Sequence, residues 1–319
     1  MIARILLTYA ENHAREVHRP DTYNQYVTYQ PDFSGAQAKS ERGRQYGKLL
    51  MDETSYRLDA PEPEISPLNR IPVRLDYDAT TGYHVYRVTA WHSDATIRRW
   101  GLITGDAVHN LRSALDHVVW QLACYKTGGA GLPSVPEHEK RAVQFPIVKA
   151  PTTAERKDPR TFRASGALKH VLPEHRAIIY EHQPFGSRYN FGHAEVHPFT
   201  RLQILSNIDK HRTITPIAML TTRFHLPDPF KDVGGEVIKR QYTAFDCEPA
   251  EPGVEVMRVK VWLPSIRRNL SDAGWVSPTP SFQDVLSNGM TYIRSVDIEL
   301  MMQIGFQVGA VIDEFERLF

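Results

Sequence analysis

Side chains that could move protons or hold a phosphate group are concentrated between Gly105 and His117. This segment, GDAVHNLRSALDH, contains two histidines, two aspartates, one asparagine and one arginine. Histidine, asparagine and aspartate form helices less readily than the lysine, glutamate and glutamine that usually fill an exposed helical face. Helix propensity therefore does not explain these residues, and the segment is the first candidate for a functional site.

The apolar residues around this segment predict one long helix from about residue 94 to residue 125. They recur every three or four positions: Trp100, Ile103, Ala107, Leu111, Leu115, Val118 and Leu122. The polar residues form two ridges beside this stripe, one with Asp106, Asn110, Ser113 and His117 and the other with His109, Arg112 and Asp116. Five residues of helix correspond to about 140° of rotation, so Arg112 and His117 point obliquely apart.

A second polar group lies near the end of another predicted helix, from about residue 198 to residue 213. The group consists of Asn207, Asp209, Lys210, His211 and Arg212. Three successive potential cations fit a phosphate-binding role in support of the first segment. They also fit a structural role, because the helix dipole favours cations at a helix C-terminus by about 0.3–1 kcal/mol each.

The sequence predicts neither a metal site nor a cofactor. The histidines between residues 170 and 197 follow no known ligand spacing. Cys124 and Cys247 lie in unrelated contexts, and no glycine-rich phosphate loop or nucleophile elbow is present. We therefore expect chemistry, if there is any, to depend on side chains alone.

Composition narrows the class of protein. The chain has 319 residues, of which 41% are hydrophobic and 24% charged, with a formal net charge of +1. These values are typical of a soluble globular protein. Two cysteines exclude a disulfide framework and favour a cytoplasmic location, and no segment is apolar enough to predict a membrane span.

One local stretch departs from this neutral balance. Residues 140–176 contain nine lysines and arginines against three acidic residues. The stretch is either the solvated face of a long loop or an arm that binds RNA. The sequence alone leaves both interpretations open.

The pattern along the chain predicts an α+β fold in four parts. These are residues 1–92 with N-terminal helices and a β-hairpin, 93–215 with the helical core and both polar groups, 216–288 with an antiparallel β part packed beside the bundle, and 289–319 with a C-terminal helix that returns to the bundle. Helices are also expected at residues 2–16, 36–51 and 173–182 and strands near 214–220, 236–244 and 253–263. Residues 265–285 are expected to be irregular.

Several motifs of this chain resemble those of a family of uncharacterised bacterial proteins of actinomycete type. They are GDxxHNLRSALDH at residues 105–117, Phe145-Pro-Ile147, Gln183-Pro184, His197-Pro198 and NIDKHR at residues 207–212. The resemblance covers roughly residues 72–220. It implies no particular activity.

The spacing of Arg112 and His117 on a long helix is also similar, more distantly, to that of the HEPN superfamily of helical bundles. Many of its members are metal-independent ribonucleases of toxin and defence systems that act as dimers. The resemblance implies that Arg112 would neutralise the scissile phosphate and that His117 would act as general acid or base, leaving a 2′,3′-cyclic phosphate. In that superfamily the residue after the arginine is commonly Asn, Asp or His, whereas this chain has Ser113.

A HEPN-like homodimer that binds or cleaves RNA is therefore one hypothesis, with His109, Asn110, Asp116 and the second polar group in support. The alternative is a non-enzymatic binding or scaffold protein in which the same residues form a structural network between helices, since unsatisfied buried polar groups cost about 1–3 kcal/mol each. A hydrolase of small phosphoesters is a third possibility. The hypotheses differ in whether Arg112 and His117 share a pocket that water reaches.

Overall fold

The structure is a computed structural model that describes most of the chain. The described residues are 29–54, 71–89, 94–186, 194–195, 197–211, 216–225, 235–242, 253–262, 274–285, 291–294 and 298–319. The helix expected at residues 2–16 lies outside them. All statements below concern these ranges.

The described helices centre on one long element. The five longest are α1 (Ser34–Thr54), α2 (Asp94–Thr127), α3 (Pro173–Glu181), α4 (Pro198–His211) and α5 (Ile298–Glu316). Helix α2 is the predicted central helix, and α1, α4 and α5 all pack against it. Between α2 and α3 the chain forms short helical turns at Glu137–Lys140, Thr153–Lys157, Pro159–Thr161 and Ala164–Gly166.

The apolar stripe of α2 forms the centre of the core. All seven of its predicted residues are buried, and Leu111 is fully inaccessible. Burying a large aliphatic or aromatic side chain contributes about 1.5–3 kcal/mol. Helix α1 crosses this stripe so closely that a Cβ atom at Gly43 would lie 2.6 Å from Leu111 Cγ. Glycine at residue 43 is therefore what lets α1 reach α2.

The described strands form one antiparallel sheet. They are β1 (Ile71–Asp78), β2 (Tyr83–Val88), β3 (Pro216–His225), β4 (Glu236–Tyr242), β5 (Glu255–Trp262), β6 (Gly274–Val285) and β7 (Thr291–Arg294). Their order is β3-β6-β1-β2-β5-β4, and β7 also pairs with β6. The predicted hairpin is β1–β2, with Val73 opposite Val88. It lies in the middle of the same sheet as the later strands, and the α+β class is confirmed.

Strand β6 corrects the expectation that residues 265–285 are irregular. Pro278 and Pro280 conceal this strand in the sequence, because proline cannot donate a ladder hydrogen bond. Both prolines pair with β3 on one side. On the other side β1 pairs only up to Val276 and β7 only from Phe282. Among the described strands, the prolines thus occupy the part of β6 that is paired on one side only.

The C-terminal helix begins later than its apolar pattern predicts. A start near residue 290 is expected, whereas α5 begins at Ile298. Residues Thr291–Arg294 instead form β7 against the end of β6. Neither α5 nor another helix of the described ranges is long and apolar enough to cross a membrane.

Candidate functional site

Arg112 is buried on α2, with 7% of its surface exposed. Its Nη2 atom donates a 2.6 Å hydrogen bond to the carbonyl oxygen of Phe145 and lies 3.0 Å from Oδ1 of Asp116. Its Nη1 atom is sealed from solvent and has no hydrogen-bond partner within the described residues. Of the two Nη atoms, one is therefore engaged and the other is closed off.

Asp116 binds the other polar group of the same loop residue. The backbone N–H of Phe145 donates a 2.9 Å hydrogen bond to Asp116 Oδ1. Arg112 and Asp116 are one helical turn apart, so both side chains extend over the same face of α2. Buried backbone groups need partners, and here one ion pair supplies a donor and an acceptor to a single residue.

Two further contacts fix the segment that follows Phe145. The Phe145 ring packs edge-on against Phe199 of α4, with 5.6 Å between ring centroids. The backbone N–H of Val148 donates a 2.9 Å hydrogen bond to Oε1 of Gln183. The Nε2 atom of Gln183 in turn donates to the carbonyl oxygen of Ile179 at 3.1 Å. We call Arg112, Asp116, Gln183 and the backbone of residues 145–148 the loop clamp.

The charges of the loop clamp depend on each other. Burial raises the pKa of the Asp116 carboxyl, and the charge of Arg112, the amide of Phe145 and the charge of Lys210 oppose that rise. Burial lowers the pKa of Arg112, and Asp116 opposes that fall. Arg112 is buried, whereas the Asp116 side chain is 35% exposed. Removal of Asp116 therefore leaves a buried positive charge without compensation. The pair therefore behaves as one unit.

His117 contacts a different part of the chain. A Cβ atom at Gly35, at the start of α1, would lie 3.0 Å from both Cε1 and Nε2 of the His117 ring. Hydrogen bonds from Ser34 are the main reason that the pKa of Asp32 is lowered, and the charge of His117 adds to this effect. His117 thus belongs to the contact between α1 and α2, whereas Arg112 belongs to the loop clamp. The two candidate catalytic side chains share no described contact.

The second polar group is only partly brought to α2. A Cβ atom at Gly105 would lie 2.6 Å from Oδ1 of Asp209, so α4 contacts the central helix at this point. Lys210 is exposed, and its charge reaches Asp116. Asn207 is exposed and accepts a 2.8 Å hydrogen bond from Gln203 Nε2. The side chain of His211 and all of Arg212 lie outside the described residues.

The other ridge residues of α2 lie near the surface. Asn110 Nδ2 donates a 2.7 Å hydrogen bond to the carbonyl oxygen of Asp106, one turn earlier. His109 is exposed. Neither side chain contributes a contact to the loop clamp.

Several buried histidines connect α3, α4 and α5. His182 Nε2 lies 2.7 Å from Oε2 of Glu314, and His197 Nδ1 accepts a 3.1 Å hydrogen bond from the Phe199 amide. Burial lowers the pKa of both His175 and His197 to about 4, so both rings are neutral near pH 7. In the described ranges, no group of three or more His, Cys, Asp or Glu residues is arranged to hold a metal ion.

Sequence reasoning missed the partner of Arg112, because that partner is backbone. The one available signal was Pro146. A residue before proline is biased towards an extended conformation, which leaves the N–H and C=O groups of Phe145 without helical partners. The motifs at residues 112–116, 145–147 and 183–184 are thus parts of one structural unit.

Comparisons with known proteins identify no relative of this chain. No protein-family model matches the chain, and neither a curated protein nor a solved structure is similar to it at a significant level. The interpretation of the loop clamp therefore depends on the contacts described above.

Proposed function

We propose that the protein is a non-enzymatic binding protein in which the helix with the GDxxHNLRSALDH motif serves as a scaffold. The observation that carries this proposal is the state of the Arg112 guanidinium. Its Nη2 atom holds Phe145 and Asp116, and its Nη1 atom is sealed from solvent. An arginine that stabilises a transition state must keep its donors available for the charge that develops there.

A HEPN-like ribonuclease is the competing proposal. It requires Arg112 to face a phosphate and His117 to lie within proton-transfer distance of the same substrate. Phosphate access to Arg112 would require residues 145–148 to leave α2, and His117 contacts Gly35 instead. These contacts support the scaffold role more than they support cleavage.

Stability measurements test the structural role of Arg112. In urea unfolding, we expect Arg112→Met to lose about 3 kcal/mol, because the Phe145 carbonyl loses its donor and Asp116 loses its counter-charge. The matched control is Arg98→Met, which removes an exposed arginine from the same helix and should change the free energy of unfolding by less than about 0.5 kcal/mol. Equal stability of the two variants would contradict the scaffold role.

An RNA cleavage assay tests the competing proposal. Purified protein is incubated with a labelled RNA pool, in parallel with His117→Ala. We expect no cleavage that depends on His117. Cleavage by the wild-type protein that disappears in a well-folded His117→Ala variant would overturn the proposal and support the ribonuclease.

A further inference from the structure

Arg176 on α3 is a buried cation without a carboxylate partner. Only 6% of its surface is exposed, and its Nε atom donates a 2.8 Å hydrogen bond to the carbonyl oxygen of Val171. In the described part of the chain, no carboxylate lies within the 4.0 Å that defines an ion pair. Because burying an uncompensated charge is costly, buried charges are normally paired. The position of Arg176 therefore requires an explanation.

A second cation meets Arg176 at the same carbonyl group. Lys126, near the end of α2, donates a 2.9 Å hydrogen bond to the carbonyl oxygen of Lys169, and its Nζ atom lies 3.5 Å from that of Val171. Two cationic side chains thus share one acceptor. Burial lowers the pKa of Lys126, and the charges of Arg176 and Arg163 lower it further. The described residues offer Lys126 no ion pair either.

Arg163 brings a third positive charge to this place. It is exposed on the loop before α3, and its carbonyl oxygen accepts a 3.3 Å hydrogen bond from the Leu168 amide, next to Lys169. Burial is the main cause of the lowered pKa of Arg176, and the positive charge of Arg163 is the second cause. Glu174 opposes the repulsion at both Lys126 and Arg176, but in the described ranges it forms no ion pair with the three cations. The cluster therefore keeps an excess of positive charge.

Capping of backbone carbonyls explains only part of this arrangement. One donor is sufficient for the Val171 carbonyl, and two cations converge on it. Neither Nη atom of Arg176 donates to a described residue, and neither is among the sealed atoms that lack partners. The two Nη groups are therefore accessible, and they form a planar fork that matches two oxygens of a phosphate or carboxylate.

We infer that Lys126, Arg163 and Arg176 form a binding site for the phosphate group of a ligand, which we call the phosphate site. Arg176 supplies a bidentate contact and Lys126 a point charge, and Arg163 adds an exposed positive charge beside them. Two carboxylates oppose these three positive charges: Glu174, and Glu155, whose Oε1 accepts a 3.4 Å hydrogen bond from the backbone N–H of Arg163. An excess of positive charge remains. The phosphate site lies about 21 Å along α2 from Arg112, so it goes beyond the scaffold role and does not depend on it.

Thermal unfolding in phosphate, compared with chloride at equal ionic strength, tests this site. A ligand that binds only the folded state raises the melting temperature, and phosphate also stabilises folded proteins in general because it is excluded from their surface. The site therefore predicts that phosphate, relative to chloride, stabilises the wild-type protein more than it stabilises Arg176→Met. Arg176→Met should keep only the general part of the stabilisation, and its phosphate affinity, measured by calorimetry, should be weakened about tenfold or more. Arg163→Met tests the same point at an exposed position, where a folding defect is not expected.

The matched control is Arg160→Met. Arg160 belongs to the same basic stretch, is exposed, and lies 3.4 Å from Asp158. Its replacement removes one positive charge without touching the phosphate site, so the response to phosphate should equal that of the wild-type protein. Equal loss in Arg160→Met and Arg163→Met would show a general charge effect and overturn the inference.

A second arm distinguishes the source of the phosphate group. Single-stranded RNA is tested for binding to the wild-type protein, for displacement by phosphate and for loss of binding to Arg163→Met. If all three are observed, the ligand of the phosphate site is the backbone of a nucleic acid. Binding of inorganic phosphate without RNA binding would indicate a small phosphorylated ligand. Both outcomes support the phosphate site. If phosphate stabilises the wild-type protein and Arg176→Met equally and RNA does not bind, the inference is overturned.

Discussion

Arg112 and Arg176 are buried to the same degree, at 7% and 6% exposure, but their surroundings differ in charge. Arg112 lies 3.0 Å from Asp116. Arg176 is bonded to a carbonyl, and the charges near it are mostly those of Lys126 and Arg163. Removing one partner of a compensated pair costs stability, whereas a buried charge among like charges is costly to keep. The inferred phosphate site would offset that cost at Arg176.

The segment around Arg112 is conspicuous in the sequence, whereas the surroundings of Arg176 are the better candidate for binding a ligand. The segment around Arg112 attracts attention because its residues form helices poorly, and its polar groups are then used to hold residues 145–148. Arg176 is an ordinary residue of a basic stretch in the sequence. Charge compensation, which only the fold reveals, is what distinguishes the two arginines.

The largest expected effect comes from giving Arg112 the electrostatic situation of Arg176. Asp116→Ala removes its counter-charge and leaves the Phe145 amide without an acceptor. We expect a loss of about 4 kcal/mol in the free energy of unfolding, measured in urea. The double variant Arg112→Met/Asp116→Leu should be more stable than Asp116→Ala, since it removes both charges.

An exposed ion pair supplies the control for that prediction. Lys48 and Asp52 lie 2.6 Å apart on the surface of α1. Asp52→Ala should change stability by less than about 0.5 kcal/mol, because exposed pairs contribute little. A loss in Asp116→Ala as small as that in Asp52→Ala would contradict the view that the loop clamp is a coupled unit.

A smaller effect concerns acid, which should weaken the Arg176 region. His175 is buried against Tyr125 and Phe319, and its pKa is lowered from 6.5 to about 4. As the pH falls from about 6.5 to about 4, the His175 imidazole becomes protonated in the unfolded chain but stays neutral in the folded state. Stability should therefore fall across this window, by about 3 kcal/mol from His175 alone.

Replacing His175 with leucine tests whether stability falls with decreasing pH and whether His175 is the cause. His175→Leu cannot titrate, so urea unfolding between pH 7 and pH 4 should show a shallower loss than in the wild-type protein. Part of the loss should remain, because the pKa of His197 is also lowered to about 4. An unchanged pH dependence in His175→Leu would mean that other groups account for the acid sensitivity.

Local patterns predict the helical framework and most of the strands. The apolar stripe of α2 is buried as its spacing requires, and the β1–β2 hairpin forms where β-branched and aromatic residues alternate. Strand β6 is missed because two prolines conceal it. The start of α5 is placed too early because β7 precedes it in a similarly apolar segment.

The candidate site is less predictable for a physical reason. The pairing of Arg112 with Asp116 follows from their helical spacing. The contact of Arg112 with the Phe145 carbonyl, and the meeting of Lys126 with Arg176 at the Val171 carbonyl, join distant parts of the chain through backbone atoms. Every residue has a carbonyl, so side-chain types cannot indicate which one will be used.

The central claim is that these two buried arginines have different roles, and one measurement tests it directly. Urea unfolding of Arg112→Met and Arg176→Met is compared in phosphate-free buffer. We expect Arg112→Met to lose about 3 kcal/mol, and Arg176→Met to stay within about 1 kcal/mol of the wild-type protein or to exceed it, because it removes an uncompensated charge. Equal losses, or a larger loss in Arg176→Met, would contradict the account.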